Sequence, residues 1–593
     1  MKTSIRAALV SAGVCTLLIA EPAYAIEFQW GDISGSFDST VTIGGGIRTK
    51  NPSCSIVGDS AACGGTANTA QWSAGDDGDL NYKKGDWFTQ YVKGTHELLL
   101  KDTDGWKVFV RGTWKEDFAA DKTRRTDLSN AAKDQIVNNT ELLDAWVSKD
   151  FSLAGQNARL RVGNQVISWG EALFYIGGIS NNVLDFQKLA VPGTQMKEAF
   201  LPVSAIDLST SLTDSISGEA YYQLKFRRTR IAPVGSYFSA SDIYGAGAVP
   251  ASFSGTNFNV TGNDQYTITG SRQLTDQQAI DAINGNGDFG VPILPDRLPK
   301  QNGEYGLALK WSPEGSRFNF GAYTTTYHDQ FPVLSVVNDG AAYQWSFAQF
   351  RHMYGVTANF PVGNWAIGTE LSYRPKDAIT LGGCFGPDGP LDANTNNASP
   401  NCPLWKDNKK YQLSVTAMLQ LQKSENPFVL GLLGADSAFL TIESAVTEYP
   451  GASKPYLRTV NGVEVKQVAA AGYFTALDTS DPANPIAQRI GTAMSWGFIT
   501  DFNWTYDGKL LSGWQVTPGV TFSDSVKGDT PNFTAQFLEG NKSLNYYVLF
   551  NQNPVKWQAG INYTAYFGGS TTGVTRQYYK DRDFVGLFGS YNF

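Results

Sequence analysis

Apolar and polar positions alternate one by one over nearly the whole chain, the period-two signature of β-strands with two unlike faces. In YQLSVTAMLQLQ (411–422), Tyr411, Leu413, Val415, Leu419 and Leu421 share one face, and Gln412, Ser414, Thr416, Gln420 and Gln422 the other. WQAGINYTAYF (557–567) sets Trp557, Ile561, Tyr563 and Phe567 against Gln558, Asn562 and Thr564. Residues 364–374 set Trp365, Ile367, Leu371 and Tyr373 against Glu370, Ser372 and Arg374. These runs are about ten residues long, which suits a tilted strand crossing a bilayer. Strands of soluble proteins are nearer five or six. In WKVFVRGTW, Trp106 and Trp114 flank Val108 and Val110 on one face. The roughly eight steps between the tryptophans, at ~3.3 Å each, span roughly 26 Å, about the separation of two aromatic girdles. The opposite face carries Lys107, Arg111 and Lys115, which a watery interior accepts and lipid does not.

Short turns separate many of these runs: 102–105, 154–156, 213–214, 313–315, 362–364, 506–508 and 552–554. Long segments separate the rest: roughly 51–85, 119–138, 172–200, 231–301, 330–346, 377–406, 450–486, 525–538 and 569–580. Short turn, long loop, short turn is the pattern of an outer-membrane barrel, with turns periplasmic and loops extracellular. The expected fold is all-β, a transmembrane antiparallel barrel of about 18 strands (16–18). An even number puts both ends in the periplasm. Residues 172–203, ALFYIGGISNNVLDFQKLAVPGTQMKEAFLPV, are too apolar for a water-exposed loop. They are expected to fold inward and narrow or plug the lumen, with Trp169, Glu171, Phe174, Asp185, Lys188, Lys197 and Glu198 at the constriction. The 231–301 segment is long enough to join them, and TDQQAIDAI within it suits a short helix.

Residues 1–25 read as a secretory signal peptide: Lys2 and Arg6, an apolar stretch, then a small-x-small site that cuts between Ala25 and Ile26. Residues 26–593 form one barrel domain in this reading. The last run, FVGLFGSYNF, places Val585, Leu587, Tyr591 and Phe593 on one face. Tyr591 and Phe593 resemble the C-terminal targeting strand of bacterial outer-membrane barrels, which engages the barrel-assembly machinery. The formal charge of −8 excludes a polybasic nucleic-acid binder. Cys54 with Cys63, and Cys384 with Cys402, each fall within one expected extracellular loop, where local disulfides suit an oxidising compartment. Zinc is the rival reading, without a close CxxC or a neighbouring histidine.

Candidate chemistry is sparse. No catalytic, cofactor or metal motif is complete, and the chain is read as a non-enzyme. His328, Asp329 and His352 flank one loop and keep a surface lipid hydrolase in view. Asp76, Asp77 and Asp79 in GDDGDLNYKKGDW resemble a calcium loop, but Tyr82 and Phe88 stand where an EF-hand wants Gly and Glu. Lys107, Arg111, Lys115, Arg159, Arg161, Lys225 and Arg227 lie on the polar faces of three early strands. They form either a basic arc that guides anionic substrates or partners for inward acids such as Asp144, Glu171 and Glu219. Arg228, facing outward beside Arg230, suits lipopolysaccharide phosphates.

DDGDLNYKKGD (76–86), VGNQVISWGEALFYIGGI (162–179) and DFQKLAVPGTQMKEAFLPV (185–203) resemble a proteobacterial outer-membrane family, common in pseudomonads and catalogued as domain of unknown function number thirteen hundred and two. Ala190 stands where a basic residue is expected in that family. Its members tend to be encoded beside periplasmic lipid-carrier-like proteins and large inner-membrane exporters. The resemblance therefore implies traffic of hydrophobic or lipid-like molecules through the Gram-negative envelope. The leading expectation is an outer-membrane channel for small hydrophobic molecules, gated by an inward loop. The alternatives are a substrate-selective porin for hydrophilic, anionic solutes and the surface lipid hydrolase.

Overall fold

The computed structural model describes residues 26–57, 61–64, 77–249, 257–260, 266–269, 293–337, 342–386, 389–390, 402–460, 463–472, 477–478, 486–487, 491–552, 556–571, 574–575 and 577–593. The first half of the barrel comprises β1 (Ile33–Arg48), β2 (Trp87–Asp102), β3 (Trp106–Asp117), β4 (Asn138–Leu153), β5 (Gln156–Gln165), β6 (Val203–Ser211), β7 (Ile216–Gln223), β8 (Glu304–Trp311) and β9 (Asn319–Tyr327). The second comprises β10 (Arg351–Val362), β11 (Trp365–Gly386), β12 (Trp405–Gln422), β13 (Ser437–Glu448), β14 (Met494–Asp507), β15 (Trp514–Lys527), β16 (Asn541–Gln552), β17 (Trp557–Gly568) and β18 (Phe584–Asn592). Each strand pairs antiparallel with its neighbours in sequence, and β18 returns to β1 in the register Thr40↔Asn592 to Arg48↔Phe584. The result is a closed 18-stranded antiparallel barrel. Closure leaves no free edge, the condition for a sheet to sit in hydrocarbon.

The terminal residue is part of the seam. Phe593 and Ser39 exchange both backbone hydrogen bonds at 2.8 and 2.9 Å, and Thr42 Oγ1 meets Ser590 Oγ at 2.8 Å. Below them the leading segment Ile26–Trp30 pairs with the start of β1. Both ends lie on the rim with the short turns.

The two faces separate as the alternation demands. Leu307, Val356, Leu371, Leu413 and Ile561 are exposed on the outer face, whereas Glu370, Gln412, Ser414, Thr416 and Asn562 are buried on the inner one. An apolar outer belt on a closed barrel of this size is the surface of an outer-membrane protein. Trp106 and Val108 are exposed on that belt, and Trp114 donates to His96 Nε2 at 2.9 Å.

Two strand boundaries differ from the sequence-based expectation. β7 ends at Gln223, so Lys225 and Arg227 lie beyond it. There Phe226 leaves the ladder and is buried against Phe347 and His328. β11 runs on to Gly386, deep into the segment expected as loop. Ile379 and Leu381 in this extension are buried under Tyr449, Ala452 and Ala469, so the wall continues above the membrane as a packed extracellular collar. On the seam side the collar is charged at its centre. Arg48 is fully buried, with Asp79 at 2.6 Å and Asp581 at 3.1 Å. Tyr82, Phe88, Tyr237, Phe238 and Phe584 pack beside it. The helix expected over TDQQAIDAI lies outside the described residues.

Candidate functional site: the lumen and its inward segment

The connection between β5 and β6, residues 166–202, crosses the lumen from one wall to the other. It contains two short helices, α1 (Phe186–Ala190) and α2 (Met196–Ala199). A chain inside a barrel must find acceptors and donors for its own backbone, and the far wall supplies them. Glu370 on β11 accepts the N–H groups of Glu171 (2.8 Å), Ala172 (3.2 Å) and Ile179 (3.2 Å). Glu443 on β13 accepts those of Leu173 (2.6 Å), Phe174 (3.2 Å) and Tyr175 (2.9 Å). The carbonyls are met by cations and an amide: Ile176 by Gln412 (3.1 Å), Gly177 by Lys410 (3.0 Å) and Gly178 by Arg374 (2.9 Å). The YIGGI stretch of the sequence is thus a run of bare backbone pressed on a polar wall. At Gly178 a Cβ would collide with the Glu370 carboxylate, which explains the glycine.

The near wall grips the other end through side chains. Glu198 pairs with Lys93 on β2 at 2.5 Å and accepts from Thr95 at 3.1 Å. Lys197 reaches Glu97 at 2.9 Å, and Lys188 reaches Glu141 on β4 at 3.0 Å. Asp185 caps α1 through the Lys188 N–H at 3.0 Å and faces Arg230 at 3.6 Å. Tyr91 donates its hydroxyl to the Pro192 carbonyl. Gly193, at φ +72°, passes so close to the wall that a Cβ would lie 2.6 Å from the Phe588 ring. Trp169 is buried with Ile179, Tyr323 and Met353; Glu171 accepts from Asn359 at 3.0 Å. All seven residues expected at the constriction therefore lie on or beside the crossing segment. Of the wall residues, Glu370, Arg374 and Gln412 were placed on polar faces without a role as anchors, and Lys410 and Glu443 were not named from the sequence. Their signal was available: Glu443 is a lone acid on an inward face whose cross-strand neighbour is Thr416, a position that needs a partner from elsewhere.

The basic residues of the early strands do face inward, and acids meet them there. Lys107 and Arg159 share Asp150, each at 2.6 Å. Arg111 lies 2.6 Å from Glu97 and 2.8 Å from Asp144. Lys115 pairs with Asp117 (2.9 Å), Arg161 with Asp207 (3.3 Å), and Arg227 with Glu141. Among the described residues only Lys225 of the expected arc has no ion pair, and it is exposed beyond β7. The inner wall here is a charge-balanced ladder. Arg228, expected to face outward, lies 2.5 Å from Asp296.

The histidines do not form a relay. His328 is buried, its Nδ1 accepting the Phe350 N–H at 3.1 Å and its Nε2 lying 3.4 Å from the Asn302 carbonyl. His352 is exposed and bonds Thr326 at 3.0 Å. Asp329 faces Arg351 at 3.7 Å instead of either ring. Of the calcium-like run, Asp79 faces Arg48 and Arg582, and Asp77 lies 3.8 Å from Arg125; Asp76 lies outside the described residues. Cys54 and Cys63 form a disulfide. The side chains of Cys384 and Cys402 lie outside the described residues, as do residues 1–25 and with them Ala25.

Beside the crossing segment runs a cavity of about 740 Å³. Its upper walls are mixed: Phe174, Phe186, Met196 and Phe200 from the segment and Phe331 and Phe533 from extracellular loops stand beside Asp329, Arg374, Asp377 and Lys410. Its lower walls reach the periplasmic strand ends at Lys310, Asn319 and Asn359. One lane therefore passes from the extracellular collar, past the segment, towards the opposite rim.

Over residues 6–593 the chain matches the model of a family described as a protein of unknown function, DUF1302. The chain belongs to that family. No curated protein matches. Among solved structures, the DUF1302 chain is similar to Acinetobacter baumannii OccAB4, at 9% identity and TM-score 0.39 over 94% of this chain and 98% of that one. It is similar to Acinetobacter baumannii OccAB1, at 11% identity and TM-score 0.40 over 97% and 99%. It is similar also to Pseudomonas aeruginosa OccK2 (OpdF) in complex with glucuronate, at 10% identity and TM-score 0.38 over 94% and 97%. Likeness so distant adds nothing to what the strand register of this chain already establishes.

Proposed function

We propose that this DUF1302 protein is an outer-membrane channel for small hydrophobic or lipid-like molecules, gated by residues 166–202. The observation that carries the reading is the orientation of that segment. Its backbone polar groups turn to the wall through Glu370 and Glu443, which leaves Phe174, Phe186, Met196 and Phe200 on the lane. An apolar molecule can lie against these rings and against Phe331 and Phe533 across the lane. The balanced ladder on β2–β6 supports the same reading, because paired cations offer little to a passing anion. A periplasmic lipid-carrier-like protein and an inner-membrane exporter fit this reading as partners on either side of the periplasm.

The test is binding of N-phenyl-1-naphthylamine, a neutral apolar fluorophore, to the purified protein. Fluorescence should rise saturably and fall on addition of long-chain lipid. The Phe174→Asp and Phe200→Asp variants should each lose most of that signal while keeping heat-modifiable migration. Equal binding by the variants would overturn the reading.

A further inference from the structure

The connection between β12 and β13 does not hang into the periplasm like its neighbours. It holds a helix, α3 (Pro427–Leu433), folded back onto the outer wall of the barrel. Leu430 is buried against Leu421, Ala435 and Ala438, with Leu419, Trp504 and Tyr506 packed beside them. Leu419 and Leu421 belong to the same face of β12 as the lipid-exposed Leu413 and Val415. The helix is fixed at its far end: the Tyr506 hydroxyl donates to the Leu433 carbonyl at 2.8 Å, and Lys509 donates to that of Gly434 at 3.1 Å. Its free face is apolar. Phe428 and Leu432, four residues apart on one side, are 82% and 80% exposed. The next turn adds Leu510 and Leu511, 61% and 47% exposed.

The geometry points to a membrane foot: α3 and the 508–513 turn embed in the acyl and headgroup layer of the periplasmic leaflet and bind its phospholipids. Three observations commit the surface to lipid. It is continuous with the apolar belt, since the buried side of α3 rests on belt residues. Its apolar side chains point away from the barrel wall. At its polar edge Lys423 and Lys509 both pair with Asp436 and remain half-exposed, so two ammonium groups stand among Glu425 and Asp507 at the level where phosphate headgroups lie.

A nitroxide at Leu432→Cys, read by collisional relaxation in vesicles of phosphatidylethanolamine and phosphatidylglycerol, tests this. The parent protein treated identically supplies the signal of any native thiol to subtract. Leu413→Cys on the belt and Glu314→Cys in an exposed turn calibrate lipid and water. Label at 432 should meet oxygen readily and a water-soluble nickel chelate poorly, as at 413, and Phe428→Cys should agree. Nickel access matching that at 314 would overturn the proposal, placing the helix in water. Low access to both reagents would overturn it too, showing protein covering the face. Heat-modifiable migration of each variant confirms that the barrel formed.

Discussion

Glu443 concentrates the chemistry of the crossing segment in one side chain. It accepts three successive amides, and each hydrogen bond contributes a net ~0.5–1.5 kcal/mol. Glu443→Ala leaves those amides without an acceptor in a tight space. The expected result is detachment of residues 172–176, seen as hydrogen exchange of their amides accelerated by more than about tenfold, with the barrel strands still protected. Lys93 and Glu198 make the complementary case at the other end, where both side chains are almost wholly buried. Removing one partner of a buried pair costs ~3–5 kcal/mol, whereas replacing both by apolar groups is often neutral. Lys93→Ala should therefore loosen α2, and Lys93→Met with Glu198→Leu should restore its protection.

Asp329, in the loop beside the lane, supplies a pH dependence. Burial first, then the neighbouring Asp377, pushes its carboxyl from 3.8 up to about 7, against the pull of Arg351 and Arg374. The folded protein thus holds this proton more tightly than the unfolded chain. The stabilisation it gives is complete below 3.8 and is lost as pH rises through about 7. Protection of the 328–337 segment, corrected for intrinsic exchange, should be greater at acid than at alkaline pH. In Asp329→Asn the difference should vanish.

At the scale of elements, alternation made the wall legible because it reports a physical boundary: one face meets lipid, the other water. The nine long connections and seven of the short ones followed from it. The eighth short connection was missed, since NPFVLGLLG is apolar where a turn is expected to be polar. Its composition makes sense only once α3 lies against the outer wall. The end of β7 was misjudged for a related reason. Lys225 and Arg227 keep the period of the strand, but the hydrogen-bond ladder stops where Phe226 finds a pocket between loops. The inward segment was legible because thirty apolar-rich residues have no place in water. Its anchors were legible only as inward acids such as Glu443, opposite Thr416; which backbone amides they accept leaves no pattern in the local sequence of either partner.

For the whole molecule, closure through β18 and β1, an apolar belt and a collar of packed loops describe a closed cylinder. Among the described residues the 166–202 segment bridges its interior, held through its backbone on one side and by ion pairs on the other. The sequence left open whether the early basic strands formed a free positive arc. Asp144, Asp150 and Asp207, acids inward on neighbouring strands, pair with most of them. The central claim is that the bridge closes the lumen to ions and admits apolar molecules beside it. The most direct measurement is single-channel conductance of the refolded protein in a planar bilayer, beside a variant lacking residues 172–200. The account predicts near silence from the intact protein and steady ohmic steps from the deletion. Steady steps of equal size from both would contradict it and make the barrel an open aqueous pore.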